Sequence, residues 1–317
     1  MLQIFTDNKK GGVYDISELV TDTTWKTSLI GKPGSLDFTM IQDPNYMISN
    51  GDIISVKWDD IPLFYGYVFA LSRSQEETLS VKCYDQIRYL TANDTYVFKN
   101  KTAAAIIKQI ADDFGLKWGH IVDTKYAIPT MSEDGTKLLD IIDKALALTE
   151  INTGSIYVFY DDFGRLALQN VKDRVLDLMI GDESLMTGFS YEQSIDSDTY
   201  NRIKLVRNNE KTGKRDIYIA QDSASVAKWG RLQYYEKVDE NKNAAQISAL
   251  LDQLAKSKNK ETKSLKIEAL GNPKVRVGSY MRVYIEELAI DQLFLIDECT
   301  HKFSGDDYTI SLEVRVV

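Results

Sequence analysis

The first ninety-five residues alternate apolar and polar side chains with the period of a half-buried β-strand. Leu36, Phe38 and Met40 fall on one face of such a strand, with polar residues between them. Three further short runs of this kind lie at residues 53–58, 63–71 and 79–83. Short and closely spaced strands are typical of a small barrel or sandwich. We therefore predict a first β-barrel over residues 1–95.

Helical and strand patterns mix in the middle of the chain, residues 96–194. Thr102 precedes an apolar stripe at helical spacing that ends at Gly115, which predicts a capped helix. A second helical stripe follows Thr136, and two strand-like runs then flank a turn at residues 161–164. These patterns predict a compact α+β domain.

Strand patterns return in residues 195–317 and are interrupted once by a helix. Ile247, Leu250, Leu251 and Leu254 share one face of a helix near residues 244–258. We predict that this segment forms a second β-barrel into which the helix is inserted.

An internal repeat relates the two β-rich segments. In each segment a serine begins a strand, a proline follows nine residues later, and a glycine then opens the next strand. The correspondence pairs Ser35 with Ser264, Pro44 with Pro273, Gly51 with Gly278, residues 62–65 with 292–295, and residues 79–83 with 310–316. This ordered turn chemistry favours a mainly β fold in which two related small β-barrels flank the α+β domain. Generic strand-and-turn patterning is the alternative.

Composition and charge narrow the possible partners. Of the 317 residues, 44% are hydrophobic, and the formal net charge is -9. Because phosphate binding requires clustered Lys and Arg, we expect no specific nucleic-acid binding. The densest basic stretch, residues 204–215, contains a turn signal and fits a solvated hairpin tip. No signal-peptide pattern and no apolar run near the roughly 18 residues of a membrane span is present, so we expect no membrane anchor.

Residue types that carry chemistry are sparse. His120 and His301 are the two histidines, and neither has a second His or Cys at metal-ligand spacing. Cys83 and Cys299 end apolar runs and are expected to be reduced, semi-buried thiols. The acidic pairs at residues 59–60, 161–162 and 306–307 fit solvated turns better than the two acids that flank a sugar in a glycosidase. We predict no catalytic, cofactor-binding or metal-binding residue, no cofactor and no enzymatic activity.

Distinctive runs of residues occur at 51–52, 63–67, 201–207, 211–215, 227–230 and 232–235. These runs resemble the XkdQ/YqbQ proteins of defective Bacillus prophages, which belong with the late-control-protein-D baseplate hubs of contractile tails. The resemblance spans essentially the whole chain, and its most specific part is residues 200–235.

A structural role follows from this resemblance. Hubs of this kind carry two related barrels per chain and form homotrimers, so three chains would place six similar barrels in a ring. Such a ring would adapt a sixfold tail tube protein to a threefold central spike, with baseplate wedge proteins as further partners. The implied location is the tail baseplate of a virion or phage-like particle, assembled in the cytoplasm of the bacterial host.

Two other classes of function stay open. A carbohydrate-binding or cell-wall-degrading tail protein would need an exposed aromatic platform or a catalytic acid pair. A small-molecule enzyme of mixed fold is the third class. The parent particle is an infectious phage, a bacteriocin or a prophage remnant.

Overall fold

The computed structural model describes residues 1–43, 46–73, 78–196, 198–209, 213–240 and 242–316. Two compact units divide the chain: unit 1 comprises Met1–Ser190 and Lys266–Val317, and unit 2 comprises Tyr191–Leu265. Strands hold far more residues than helices in the described part of the chain. The mainly β class that the sequence predicts is therefore confirmed.

Six strands of the amino-terminal segment form what we call module 1. Their order in the sheet is β3-β4-β7-β6-β5-β1, and a short strand β2 pairs with β1. The bounds are β1 (Leu2–Asp7), β2 (Val13–Asp15), β3 (Val20–Ser28), β4 (Ser35–Ile41), β5 (Ile53–Trp58), β6 (Ile61–Arg73) and β7 (Thr78–Tyr84). Leu36, Phe38 and Met40 are buried as their alternation predicts, and their removal from water stabilises the module.

The α+β part lies between the β-rich segments. Its elements are β8 (Asn93–Thr102), α1 (Ala103–Asp113), β9 (Trp118–Ile121), β10 (Ala127–Lys137), α2 (Leu138–Thr153), β11 (Tyr157–Asp161) and β12 (Leu166–Asn170). The Thr102 side chain accepts a hydrogen bond from Ala105 N, so the predicted cap is present. Thr136 does not open α2, because it lies in β10 opposite Asp94 of β8, and the helix begins at Leu138.

Six strands of the carboxyl-terminal half form module 2. Their bounds are β13 (Val175–Gly181), β14 (Met186–Ser194), β18 (Thr262–Leu270), β19 (Tyr280–Ile285), β20 (Ile290–Ser304) and β21 (Asp307–Arg315). The strand order is β14-β18-β21-β20-β19-β13, which follows the order of module 1 strand for strand. One difference is that β13 runs parallel to β19, whereas β1 runs antiparallel to β5.

The two modules share one thirteen-stranded sheet, because β3 of module 1 pairs with β20 of module 2. Strand pairing among the described residues closes neither module into a ring. The closed barrels that the sequence suggests are therefore not found. The outer edge of β3 pairs instead with β20 of module 2.

The same backbone hydrogen bond is found at the glycine before β5 in module 1 and at the glycine before β19 in module 2. Gly51 N donates to Val68 O at 2.8 Å, and Gly278 N donates to Ile296 O at 2.9 Å. Both glycines have positive φ, +90° and +73°, which glycine adopts without steric cost. The strand ladder then shifts by a β-bulge directly after Val68 and directly after Ile296. The two segments thus share local geometry as well as strand order.

One predicted correspondence is wrong by two residues. Ile54 pairs with Gly66, and its counterpart Met281 pairs with Phe294, so Phe294 corresponds to Gly66 and not to Phe64. A Cβ on Gly66 would lie 2.5 Å from the ring of Phe64. In module 1 the Phe64 ring therefore lies over the position that has no side chain of its own. The predicted pairing of Pro44 with Pro273 concerns a residue outside the described ranges.

Unit 2 is a small α/β arrangement. Its three-stranded sheet has the order β16 (Lys214–Gln221), β15 (Arg202–Asn209) and β17 (Gln233–Lys237). Two helices accompany the sheet, α3 (Ser223–Trp229) and α4 (Ala244–Lys258), and α4 has the predicted bounds. Ile247 of α4 packs with Ile203 and Leu205 of β15. Strands β15, β16 and β17, which lie in the segment predicted as the second barrel, thus form a separate sheet. Residues 211–212 of the predicted hairpin tip lie outside the described ranges.

In the described part of the chain, no helix has the length and apolarity needed to cross a membrane.

Candidate functional site

A cleft in unit 1 brings together charged and aromatic side chains from distant parts of the sequence. Its lining includes Trp25, Tyr160, Asp161, Arg174 and Arg276. These residues come from β3, from the β11–β12 hairpin and from the loops that precede β13 and β19. Convergent polar groups in a cleft are the usual sign of a binding or catalytic site, so this cleft is the first candidate.

Arg276 is the main cation of the cleft, and its partners are backbone carbonyls. Its Nη2 donates to Pro62 O at 2.9 Å, its Nη1 to Leu63 O at 3.2 Å, and its Nε to Pro273 O at 3.1 Å. The guanidinium also lies over the Trp25 ring, 4.4 Å from its centroid. Burial lowers the pKa of Arg276 to about 10, so the side chain stays charged at neutral pH. Arg276 thus ties β6 of module 1 to the loop before β19 of module 2.

Two carboxyl groups form the acidic side of the cleft. Asp85 accepts hydrogen bonds from Gly34 N and Ile87 N at 2.8 and 3.0 Å, and Asp161 accepts one from Gln86 Nε2 at 2.8 Å. Burial raises the pKa of Asp161 to about 6, and burial together with the neighbouring Asp161 raises the pKa of Asp85.

Asp161 therefore does not have the fully solvated turn environment that the sequence predicts for the 161–162 pair. The backbone N–H of Gly164 also donates to its carboxylate at 2.6 Å. Asp162, its neighbour, is exposed. The two acids of this pair face different environments, and the buried one is engaged in holding the hairpin.

His301 and Cys299 form a buried polar network with Tyr308. The Cys299 Sγ lies 3.1 Å from His301 Nε2, and His301 Nδ1 lies 2.8 Å from the Tyr308 hydroxyl. His301 Nε2 is also 3.1 Å from Val275 O, which accepts the ring proton if Tyr308 donates to Nδ1. Burial raises the pKa of the Cys299 thiol to about 12 and lowers that of His301 to about 3. A thiol without thiolate character is not a nucleophile, so this pair stabilises the core.

The other acidic and histidine residues that the sequence singles out are exposed. His120 is exposed on β9. The acidic pairs at residues 59–60 and 306–307 are exposed. The first pair lies in the turn after β5, and the second consists of the last turn residue after β20 and the first residue of β21. In the ranges that the structure describes, no three His, Cys, Asp or Glu side chains cluster as metal ligands would. Residues 162–164 lie in the turn of the β11–β12 hairpin, where the sequence predicts a turn.

A row of aromatic rings covers the outer face of β6. Tyr65, Tyr67 and Phe69 alternate along this strand, and Tyr89 lies 5.6 Å from Tyr67 in an edge-to-face arrangement. Cations cover some ring faces: Lys9 Nζ lies 4.8 Å from the Tyr67 centroid, and the Arg88 guanidinium lies 5.5 Å from that of Phe69. Sugar binding needs an open ring face. Edge-to-face rings capped by cations are better suited to packing or to a protein contact.

Sequence reasoning did not find Trp25, Asp85 and Arg276, although local signals exist for some of them. Asp85 follows a strand and precedes an apolar turn, which is typical of a capping residue. Cys299 and His301 lie two apart on one strand, a spacing that places both side chains on the same face. Two of the three carbonyl partners of Arg276, those of Pro62 and Leu63, lie more than two hundred residues away in the chain, so no local pattern indicates them.

Comparison with protein families finds one family whose model matches most of the chain. The family model described as YQBQ-like matches residues 23–315 of the chain. The chain is 34% identical over 313 residues to the phage-like element PBSX protein XkdQ of Bacillus subtilis (strain 168), with 93% of this chain and 95% of that protein covered. It is 36% identical over 277 residues to the protein YqbQ of the same strain, with 85% and 82% covered.

Solved structures with a similar fold come from phage tails and a related secretion machine. The 43 kDa tail protein of prophage MuSo2 from Shewanella oneidensis gives a TM-score of 0.73 at 15% identity, with 99% of this chain and 98% of that chain covered. A tail protein from Neisseria meningitidis MC58 gives 0.74 at 12% identity, with 99% and 96% covered. The Escherichia coli type VI secretion component c3393, described as structurally similar to the T4 tail proteins gp27 and gp5, gives 0.59 at 11% identity, with 94% and 73% covered. The chain has the fold of phage tail proteins and belongs to the YQBQ-like family.

Proposed function

We propose that this protein is the baseplate hub of a contractile phage tail or phage-like particle, in which three copies form a ring around the tail axis. The observation that supports this most directly is the pair of six-stranded modules with the same strand order in one chain. Three chains with two modules each supply six similar positions. A ring of this kind can contact a sixfold partner on one side and a threefold partner on the other.

The partners follow from this role. They are the tail tube protein, a central spike and the baseplate wedge proteins, and assembly takes place in the host cytoplasm. The similarity of the fold to c3393, itself described as similar to the T4 tail proteins gp27 and gp5, supports a place in the tail.

We further propose three functional domains, residues 1–95, 96–194 and 195–317. Module 1 provides the β structure of the first domain, and the cluster of buried residues around α1 and α2 provides the core of the second. Four of the six strands of module 2 belong to the third domain, whereas β13 and β14 precede residue 195. Residues 195–261, which make up most of unit 2, are an insertion at the start of the third domain, between β14 and β18.

We propose no catalytic, cofactor or metal site. The support is the state of the groups that would carry chemistry: the Cys299 thiol and the His301 ring are fully buried and hydrogen-bonded to core groups. A zymogram on peptidoglycan is the test, with the purified chain expected to release no soluble wall fragments. The same preparation applied to a sugar array tests the carbohydrate-binding alternative, for which the aromatic row on β6 is the candidate surface.

Native mass spectrometry of the chain, produced together with its tube and spike partners, tests the hub assignment. We expect a complex that contains three times 36.0 kDa of this chain. A complex with six or twelve copies, or one that excludes the tube and spike proteins, contradicts the proposal.

A further inference from the structure

One edge of β20 is paired along most of its length by two different strands. β19 pairs with it from Ile290 to Leu295, and β3 of module 1 pairs with it from Glu298 to Ser304. The pairing of β20 with β3 is antiparallel. It runs from Ser28 opposite Glu298 to Asp22 opposite Ser304. Phe303 from this half of β20 packs in the core of module 1. The edge therefore forms the junction between the two modules.

The equivalent edge in module 1 is only half occupied. β5 pairs with β6 as far as Tyr67, the counterpart of β19 with β20. Beyond the bulge, Ala70–Arg73 pair with β7 on the other edge, and no strand within the described residues pairs with them on this one. Ala70, Ser72 and Arg73 are exposed. Module 1 thus lacks the strand that β3 supplies to module 2.

The strand that corresponds to β3 also has a free edge. β14 holds the position in module 2 that β3 holds in module 1, and it is the last strand of the sheet order, with no strand on its outer side in the described part of the chain. It runs antiparallel to β18, as β3 does to β4: Leu270 N donates to Leu185 O, and Thr262 Oγ1 donates to Ser194 O. One chain therefore presents two unpaired edges that are counterparts of a contact it already makes internally.

We propose that β14 of one copy pairs antiparallel with residues 70–73 of β6 in the next copy, and so repeats between chains the β3–β20 junction found within the chain. The contact would satisfy backbone N–H and C=O groups that a free edge leaves to water. It would also cover Phe189 of β14 and Leu71 of β6, which are half-buried in the single chain. Because the two edges differ, the contact is head-to-tail, and a contact of this kind forms a ring when the rotation between copies divides a full turn. This inference rests on the proposed hub function and names the surface through which copies meet.

Cysteine cross-linking in the assembled particle tests the proposal. The variant carries Ser72→Cys and Ser190→Cys, two exposed positions on the two edges, and particles are treated with a short bis-maleimide. The native thiols Cys83 and Cys299 are buried, so the unmodified chain is the background control. We expect a ladder of covalent dimers and higher species that stops at the ring size, with neither single variant cross-linking.

The matched control combines Ser72→Cys with Val13→Cys. Val13 is exposed on β2, the edge strand at the opposite end of module 1, and we expect it to give no ladder. Absence of cross-links for Ser72 with Ser190, or equal cross-linking for the control pair, overturns the proposed pairing.

The prediction of the cross-link and the prediction of the copy number can be contradicted independently. Three copies on the tail axis without the Ser72–Ser190 cross-link contradict the pairing and leave the hub function in place. A ladder that ends at six chains supports the pairing and contradicts the trimeric hub.

Discussion

At the scale of single residues, Arg276 joins the two modules through carbonyl groups rather than through a carboxylate. Its guanidinium spreads over Pro62, Leu63 and Pro273 and lies over Trp25. A planar guanidinium donates hydrogen bonds in several fixed directions, which a lysine ammonium cannot do because it is a compact group on a flexible stem. The side chain therefore contributes geometry as well as charge.

Replacement Arg276→Lys should destabilise unit 1 by about 1–3 kcal/mol, since at least one carbonyl, of which those of Leu63 and Pro273 are partly buried, loses its donor. Urea unfolding followed by tryptophan fluorescence measures the change. Arg282→Lys is the control, because Arg282 forms an exposed pair with Asp291, and it should shift the midpoint little. Equal shifts for the two variants would show that the carbonyl contacts of Arg276 do not matter.

Asp161 should make stability depend on pH. Its pKa is raised from 3.8 to about 6, so the folded state holds the proton more tightly, and stability is lost as pH rises through about 6. Asp161→Asn cannot ionise and should gain about 1 kcal/mol over the unmodified chain at pH about 8, with little gain at pH about 4.

Thermal unfolding measured across this pH range checks the prediction for Asp161. Asp162→Asn, at the exposed neighbour whose charge makes the smallest contribution to the raised pKa of Asp161, should change the pH dependence far less than Asp161→Asn. Parallel curves for Asp161→Asn and the unmodified chain would mean that Asp161 is not the titrating group.

The roles of some of these residues can be predicted from the sequence, and the roles of others cannot. Alternation predicts the burial of Leu36, Phe38 and Met40, since the period of a strand is local information. The contacts of Arg276 and the proximity of Asp85 to Asp161 depend on which strands become neighbours, and that is fixed by packing between segments far apart in the chain.

At the scale of elements, the repeat is carried by strand order and by two glycines. Gly51 and Gly278 open corresponding strands with positive φ, yet their surroundings differ. A Cβ on Gly51 would meet nothing within 4 Å, whereas a Cβ on Gly278 would lie 2.5 Å from Val158. Only the second glycine supports packing against the α+β part.

This difference gives a matched pair of variants. Gly51→Ala should cost about 1 kcal/mol, the price of a side chain at positive φ. Gly278→Ala should cost clearly more, because the clash with Val158 adds to the same backbone strain. Chemical unfolding of the two variants measures both costs, and a larger effect at Gly51 would contradict the assigned environments.

The sequence predicts the type of an element well where its hydrophobic periodicity extends over many residues. It does not predict which strands pair with one another. The bounds of α4 and the Thr102 cap follow from the sequence. The separate sheet of β15, β16 and β17 does not, because strand patterns do not specify whether a strand joins a large sheet or a small one. The correspondence of Phe294 with Gly66 does not follow from the sequence for a similar reason. The Phe64 ring lies over Gly66, and this contact is visible only in the folded structure.

At the scale of the whole molecule, one chain contains two copies of a strand order and a junction that joins them through β3 and β20. The internal repeat in the sequence indicates this duplication. It does not indicate that the modules share a sheet rather than close separately, since both outcomes use the same strands. In our account the open edges are what makes the chain a component of a ring.

The most direct test of the central claim is an electron cryo-microscopy reconstruction of the particle with no more than threefold symmetry imposed at the tail tip. The account predicts three copies of this chain on the tail axis, with modules 1 and 2 alternating at one radius and one height and related by rotations of about 60°. Modules at different radii or heights, or a copy number other than three, would contradict it.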